Sequence, residues 1–127
     1  PAALAVPDPA VHSAYARAFY PAWFADPTLP RLFAPPRSSS ATGAAVAARL
    51  RRDGYDWRDL LRAVRARSLV LHGEADVLPA EQSRQTAALL PHARLEVLPG
   101  AGHMPFWEAP DRFFALVVAF LDPHAPA

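Results

Sequence analysis

The amino-acid sequence predicts an α/β fold, a strand–helix–strand–helix unit of a parallel sheet that follows a helical segment. Two short apolar runs, at residues 68–72 and 94–98, end at Gly73 and at Pro99-Gly100, as buried strands of parallel sheets do. One helical pattern lies between these runs and another follows the second. This order predicts a right-handed βαβ crossover with a trailing helix.

The first segment is aromatic and helical. Asp8-Pro9 resembles an N-cap followed by proline at the first helical position, and a helix rich in aromatic residues is predicted from Val11 to Phe24. Pro21 must end or kink this helix because it lacks a backbone N–H group. Residues 25–42, which are rich in proline and serine, are predicted to form a loop.

Two further helices are predicted before the first strand. One runs from Ala44 to Asp53, with Gly54 in the left-handed position after its end. The second begins at the capping residue Asp56 and continues to about Val64. Its apolar residues fall on one side of the helix: Trp57, Leu60, Leu61 and Val64.

The second half alternates strands and helices. Strands are predicted at Ser68–His72 and Arg94–Leu98, with a helix from Ala80 to Leu90 between them. The last helix, Asp111–Leu121, carries its apolar residues at helical spacing. They are Phe113, Phe114, Val117, Val118 and Leu121.

Composition limits the possible classes of protein. The 127 residues contain no Cys, which excludes disulfides and thiolate metal sites, and no apolar run is long enough to span a membrane. Residues 1–67 hold ten Arg and five acidic residues, but the Arg residues lie on helix faces without interleaved aromatics, so nucleic-acid binding is not expected. No signal peptide is recognised, and a cytoplasmic location is expected. Because the chain begins with Pro1, we expect it to start inside a longer product or after processing.

Asp76 and His103 are the residues that point to chemistry. Asp76 follows the end of the first strand, and His103 follows the end of the second. The carboxyl ends of neighbouring parallel strands lie at one edge of the sheet, where open α/β sheets bind ligands. A carboxylate that accepts the imidazole Nδ1–H fixes the tautomer and stabilises the imidazolium, which is the acid–base half of a nucleophilic triad.

The residues around His103 suit a cleft. Gly100 and Gly102 allow a tight backbone that can present the imidazole ring. Met104, Phe106 and Trp107 are predicted to wall the substrate-binding cleft and keep water away.

Together these motifs resemble the C-terminal signature of the α/β-hydrolase superfamily. They comprise residues 69–76 (LVLHGEAD), 99–103 (PGAGH) and 108–110 (EAP), with Phe113. The resemblance, nearest to proline-iminopeptidase-like or esterase-like members, implies that Asp76 is the acid and His103 the base. It also implies that the chain is the C-terminal βαβα portion of a hydrolase sheet. Residues 1–66 then form a helical cap-like segment and lead-in helix, residues 67–122 belong to the core, and residues 123–127 form a tail.

The nucleophile of that family is missing from the sequence. The family places it on a G-x-S-x-G elbow, which does not occur here. Ser38–Ser40 lack flanking glycines and a preceding strand, Ser68 begins a strand at the wrong edge, and Ser83 lies on a helix. The chain therefore supplies acid and base only, and we expect the isolated chain to be inactive.

Structural roles compete with the catalytic ones. Asp76 can simply tighten a turn, and His103 can be a structural loop histidine. His72 is interpreted as a hydrogen-bonded packing residue, and Glu74 as solvent-exposed or locally paired. Glu108 is interpreted as favouring the N-terminus of the following helix. The remaining histidines, His12, His92 and His124, are interpreted as surface residues.

The predicted function is hydrolysis of a small ester, amide or peptide through a nucleophile–His–Asp triad. The nucleophile is Ser in esterases and peptidases but Asp in dehalogenases and epoxide hydrolases, and both alternatives stay open. No cofactor or metal is implied. The expected partner is the missing N-terminal half of the hydrolase, or a second copy that pairs with an open strand edge. The alternative is a non-catalytic binding or assembly module derived from a truncated hydrolase.

Overall fold

A computed structural model describes residue 14, residues 17–31 and residues 41–122, and for residues 41–44 it describes the backbone only. In chain order the elements are 3₁₀ turns at Tyr20–Trp23 and Leu29–Arg31, α1 (Ala41–Asp53), α2 (Arg58–Arg62), β1 (Ser68–Gly73), α3 (Ala80–Leu89), β2 (Ala93–Leu98), α4 (Pro105–Glu108) and α5 (Pro110–Leu121). None of these described helices is long and apolar enough to cross a membrane.

The two strands form a parallel pair. Ser68 is opposite Ala93 and Gly73 is opposite Leu98, so both strands end at the same level. Helix α3 connects them and packs against both. The α/β class predicted from the sequence is confirmed, and each predicted strand is extended by one residue.

The aromatic segment ends as Pro21 requires. Residues 17–19 are helical, and the chain then tightens into the 3₁₀ turn that contains Pro21 in its first positions. Tyr20 and Phe24 are buried, and their rings meet edge to face at 5.3 Å. Apart from residue 14, the predicted helix before residue 17 lies outside the described residues, as do residues 32–40, which are half of the predicted loop. Residues 41 and 42, predicted as loop, belong to α1.

The region between α1 and β1 differs from the prediction. Gly54 has φ +66°, as expected for the residue that follows a helix. Asp56 precedes α2 and accepts a hydrogen bond from the Arg58 backbone N–H at 3.1 Å, but α2 ends already at Arg62. The predicted apolar side is covered only in part, because Trp57 and Leu60 are 55% and 66% exposed. Leu61 and Val64 of the same set are half-buried, and the short helix contacts α3.

Burial is concentrated where the strands end. Leu98 and Ala101 are fully buried, whereas the apolar residues 69–71 of β1 are only half-buried. Among the described residues no strand pairs with the other edge of β1. One side of α5 is also exposed, along Phe114, Val118 and Leu121. The described part of the chain therefore leaves a large apolar surface uncovered.

Candidate active site

Asp76 is held in the turn that follows β1. Its backbone N–H donates to the Gly73 carbonyl at 3.1 Å, and its Oδ1 accepts the Leu78 backbone N–H at 2.9 Å. This second bond is an Asx-type contact that fixes the carboxylate before α3 begins. The side chain is only 7% exposed, so a rigid, largely buried carboxylate results.

His103 lies in the loop that follows β2. Gly100 adopts φ +69°, a left-handed conformation that glycine tolerates best, and this turns the chain back towards the sheet. The His103 backbone N–H then donates to the Trp23 carbonyl at 2.7 Å. The imidazole ring also lies 5.2 Å from the Trp23 ring. Segment 20–25 therefore contacts both the backbone and the ring of His103.

The Asp76 carboxylate and the His103 imidazole form a hydrogen-bonded pair. Nδ1 is 3.1 Å from Oδ1 and 3.0 Å from Oδ2. Because a carboxylate accepts hydrogen bonds, Nδ1 carries the ring proton, and Nε2 is left as the basic nitrogen of the neutral ring. The predicted contact between these two residues is confirmed. The ring is about one-third exposed, which leaves it accessible to a reacting group.

The loops that carry the pair are packed directly against each other. The Ala75 backbone N–H donates to the Ala101 carbonyl at 2.9 Å, and a Cβ on Gly73 would lie 2.0 Å from the Gly102 carbonyl oxygen. Glu74 adds a further contact, since its carboxylate accepts the Gly100 backbone N–H at 3.2 Å. Glu74 is solvent-exposed, as expected, but its hydrogen-bond partner is 26 residues away in the chain and is not local.

A cavity of about 330 Å³ opens beside the pair. Residues from the end of β1, from the loops that follow both strands and from α3, α4 and α5 line it: Leu71, His72, Gly73, Asp76, Leu78, Gln82, Ser83, His103, Pro105, Phe106 and Phe113. Of the three predicted wall residues, Phe106 lines the cavity, but Met104 and Trp107 do not. Trp107 instead stacks on Phe24 at 6.2 Å, because α4 turns its ring towards segment 20–25. A substrate contact of Met104 or Trp107 stays a prediction.

His72 and Ser83 form a second pair in the cavity wall. His72 is 6% exposed, and its Nδ1 lies 2.9 Å from Ser83 Oγ. This bond ties α3 to the end of β1, as expected of a hydrogen-bonded packing histidine. Ser83 is thus bonded to His72 and not to His103, while Ser68 bonds the Ala66 carbonyl at the opposite end of β1. Ser38–Ser40 lie outside the described residues.

Glu108 is the functional candidate that sequence reasoning missed. One carboxylate oxygen accepts the Gly102 backbone N–H at 2.7 Å, and the other accepts the Ala25 backbone N–H at 2.6 Å. The interpretation of Glu108 as a charge that favours the next helix did not include these two bonds. Its distance of six residues from Gly102 was visible in the sequence, but no periodic pattern indicates a contact with Ala25.

The described residues contain no group of three His, Asp or Glu side chains that can hold a metal ion. His92 is exposed, in keeping with its interpretation as a surface residue. His12 and His124 lie outside the described residues.

Comparison with known proteins identifies relatives of this arrangement. An uncharacterised protein of Mycobacterium tuberculosis is 32% identical over 95 residues, which are 68% of this chain and 28% of that protein. An α/β-fold hydrolase from Bacillus anthracis str. Sterne superimposes with a TM-score of 0.70 at 26% identity, over 88% of this chain and 42% of that structure. A serine hydrolase involved in carbazole degradation gives a TM-score of 0.53 at 28% identity, over 67% of this chain and 35% of that structure.

The chain thus spans about a quarter to two-fifths of the length of these relatives. The family model of the alpha/beta hydrolase family matches residues 1–116, which is most of the chain. These similarities agree with the parallel strand pair of this chain and with the positions of Asp76 and His103 after the two strands. The chain belongs to the alpha/beta hydrolase family.

Proposed function

We propose that this chain supplies the acid and the base of a nucleophile–His–Asp triad that hydrolyses small esters, amides or peptides. The observation that carries the proposal is the hydrogen bond of 3.0–3.1 Å between the Asp76 carboxylate and His103 Nδ1. His103 Nε2 takes the proton of the nucleophile and later returns it to the leaving group. Asp76 holds the ring in the tautomer that leaves Nε2 basic and stabilises the imidazolium.

The nucleophile comes from a segment that precedes these residues in the complete hydrolase. No described serine is bonded to His103, and Ser83 is engaged with His72. One relative is described as a serine hydrolase, which favours serine over aspartate as the attacking group. The reaction then passes through an acyl-enzyme, and the cavity beside His103 takes part of the substrate.

A hybrid polypeptide tests the triad. It joins this chain to the part of the Bacillus anthracis hydrolase that precedes the matched region. We expect it to hydrolyse 4-nitrophenyl acetate and to lose at least about 10³-fold in kcat when His103→Ala removes the base. The matched control is His92→Ala, which removes an exposed histidine and should leave the rate unchanged. A folded hybrid whose rate is unaffected by His103→Ala would overturn the assignment.

The chain without the added segment should not hydrolyse the ester above a buffer-plus-imidazole control. Burst kinetics that His103→Ala abolishes, in a preparation of confirmed mass, would mean that the chain contains its own nucleophile. Ser38, Ser39 and Ser40 would then be replaced first.

A further inference from the structure

We propose that Glu108 is a positioning residue that makes the docking of segment 20–25 and the seating of His103 a single event. The inference rests on the proposed function for its catalytic meaning, since it concerns the residue assigned as the base. Its structural part can be tested separately, because it predicts which backbone amides open together.

The Glu108 carboxylate bridges two parts of the chain that are remote in sequence. It accepts the Gly102 backbone N–H at 2.7 Å and the Ala25 backbone N–H at 2.6 Å, and the second contact spans 83 residues. Hydrogen bonds to an ionised acceptor are among the stronger ones in proteins. One side chain therefore holds both segment 20–25 and the residue next to His103.

A second hydrogen bond joins segment 20–25 directly to the loop that carries His103. The His103 backbone N–H donates to the Trp23 carbonyl at 2.7 Å, two residues before Ala25. If segment 20–25 moves away, His103 loses its amide partner and Glu108 loses one of its two donors. The Gly102 amide, the His103 amide and the Ala25 amide are therefore expected to share one opening event.

Close packing allows little adjustment within this cluster. A Cβ on Gly102 would lie 2.6 Å from the Trp23 carbonyl oxygen, 2.8 Å from the Ala25 nitrogen and 3.0 Å from Glu108 Oε2. The two backbones thus approach each other at the position where only glycine fits. The Trp23 ring, 5.2 Å from the His103 ring, links the same segment to the imidazole itself.

Amide hydrogen exchange on the full 127-residue chain tests the coupling. The Gln side chain of Glu108→Gln has one acceptor oxygen instead of two, so it can accept only one of the two backbone N–H groups. Its NH₂ group is a donor and faces the other N–H, so that hydrogen bond is lost. We expect protection of the Ala25, Gly102 and His103 amides to fall together by at least about ten-fold, which corresponds to about 1.4 kcal/mol. The Glu74 and Ala75 amides, bonded across the strand ends, should keep their protection.

The His103 ring provides a spectroscopic signature. Loosening of segment 20–25 moves the Trp23 ring away, so the NMR shifts of the His103 ring protons should change in Glu108→Gln. Glu81→Gln is the matched control, since it makes the same chemical change on an exposed residue of α3. It should leave both the exchange rates and the His103 ring shifts as they are in the wild-type chain.

Three results would overturn the proposal. If Glu108→Gln lowers protection only in the first turn of α5, Glu108 acts as a helix-terminal charge. If it leaves the His103 ring shifts unchanged, it does not position the base. If the variant does not fold, hydrogen exchange of the wild-type chain tests the proposal instead. The Ala25, Gly102 and His103 amides must then exchange with the same opening free energy and the same dependence on denaturant concentration. A spread above ten-fold between them contradicts a single event. Since none of these readouts needs turnover, an inactive hybrid polypeptide would count against the triad and not against Glu108.

Discussion

At the scale of single residues, Asp76 combines two constraints in one carboxylate. It accepts the Leu78 backbone N–H through Oδ1 and pairs with His103 Nδ1 through both oxygens, while its side chain is nearly buried. The first bond orients the carboxylate in its turn, and the second orients the imidazole. The position of the Asp76 carboxylate is therefore determined by a contact two residues away in the chain, whereas its partner His103 lies in the loop that follows the neighbouring strand.

Replacing Asp76 with Asn should preserve the fold but not the correct ring tautomer. The Asn amide can donate to Nδ1, which places the ring proton on Nε2 and removes the base. In the hybrid polypeptide we expect kcat to fall by about 10²–10⁴-fold, measured with 4-nitrophenyl acetate. Asp111→Asn, at an exposed acid in α5, is the control and should keep full activity. A decrease of less than about three-fold in Asp76→Asn would contradict the role of Asp76.

Two glycines near the site should respond differently to substitution by alanine. Gly73→Ala places a Cβ 2.0 Å from the Gly102 carbonyl oxygen, a backbone atom that cannot move without separating the two loops. Gly100→Ala meets no atom within 4 Å but must adopt φ +69°. We expect unfolding free energy to fall by about 3 kcal/mol or more for Gly73→Ala and by about 1–2 kcal/mol for Gly100→Ala. Urea titration followed by tryptophan fluorescence measures both, and the reverse order would contradict the described contact.

At the scale of elements, the start of α2 is stabilised by charge. Asp56 accepts hydrogen bonds from the Arg58 backbone N–H and guanidinium, and Asp59 pairs with Arg62 at 2.7 Å. The guanidinium and then the backbone N–H of Arg58 lower the pKa of the Asp56 carboxyl to about 2. These polar contacts lie at the surface, where each ion pair contributes little, and α2 also contacts α3.

This carboxyl should give α2 a specific dependence on pH. Because its pKa in the folded chain lies below the ordinary value of 3.8, its contribution to stability is present above about pH 3.8 and is lost as the pH falls towards 2. We expect an NMR titration of the Asp56 side chain to show a midpoint near 2. Arg58→Gln removes the guanidinium and should return the midpoint towards the ordinary value. An unchanged midpoint in that variant would contradict the assigned cause.

At the scale of the whole molecule, the uncovered surface is the dominant feature. The residues of β1 are apolar on both faces but only half-buried, and no described strand pairs with its second edge. An open edge presents unpaired N–H and C=O groups that can pair with another chain. The exposed side of α5, with Phe114, Val118 and Leu121, adds apolar area to be covered.

We therefore expect that the chain does not persist as a monomer at micromolar concentration. Light scattering should give a mass above 13.8 kDa, or intact mass analysis should find a second fragment that carries a nucleophile motif. Val70→Lys, which places a charge in the open strand, should reduce self-association because charged edge strands resist pairing. A monodisperse species near 13.8 kDa with cooperative unfolding and no second fragment would show that the chain closes its own core.

The sequence by itself determined most of the elements and indicated that Asp76 and His103 would meet. Strand length, glycine and proline positions and helical spacing are local properties, so β1, β2, α3 and α5 were predictable to within one residue at each end. The proximity of Asp76 and His103 was also predictable from the sequence, because the carboxyl ends of neighbouring parallel strands lie at one edge of the sheet.

Only the tertiary structure decided how the site is supported. The partners of Glu108 and Glu74 lie up to 83 residues away, and no local periodicity encodes a contact between two loops. The walls of the cavity depended likewise on how α4 turns, which directs Phe106 inwards and stacks Trp107 on Phe24. Local propensity determines which backbone conformation a segment adopts, whereas the hydrogen-bond partners of a loop depend on which remote loop is packed against it.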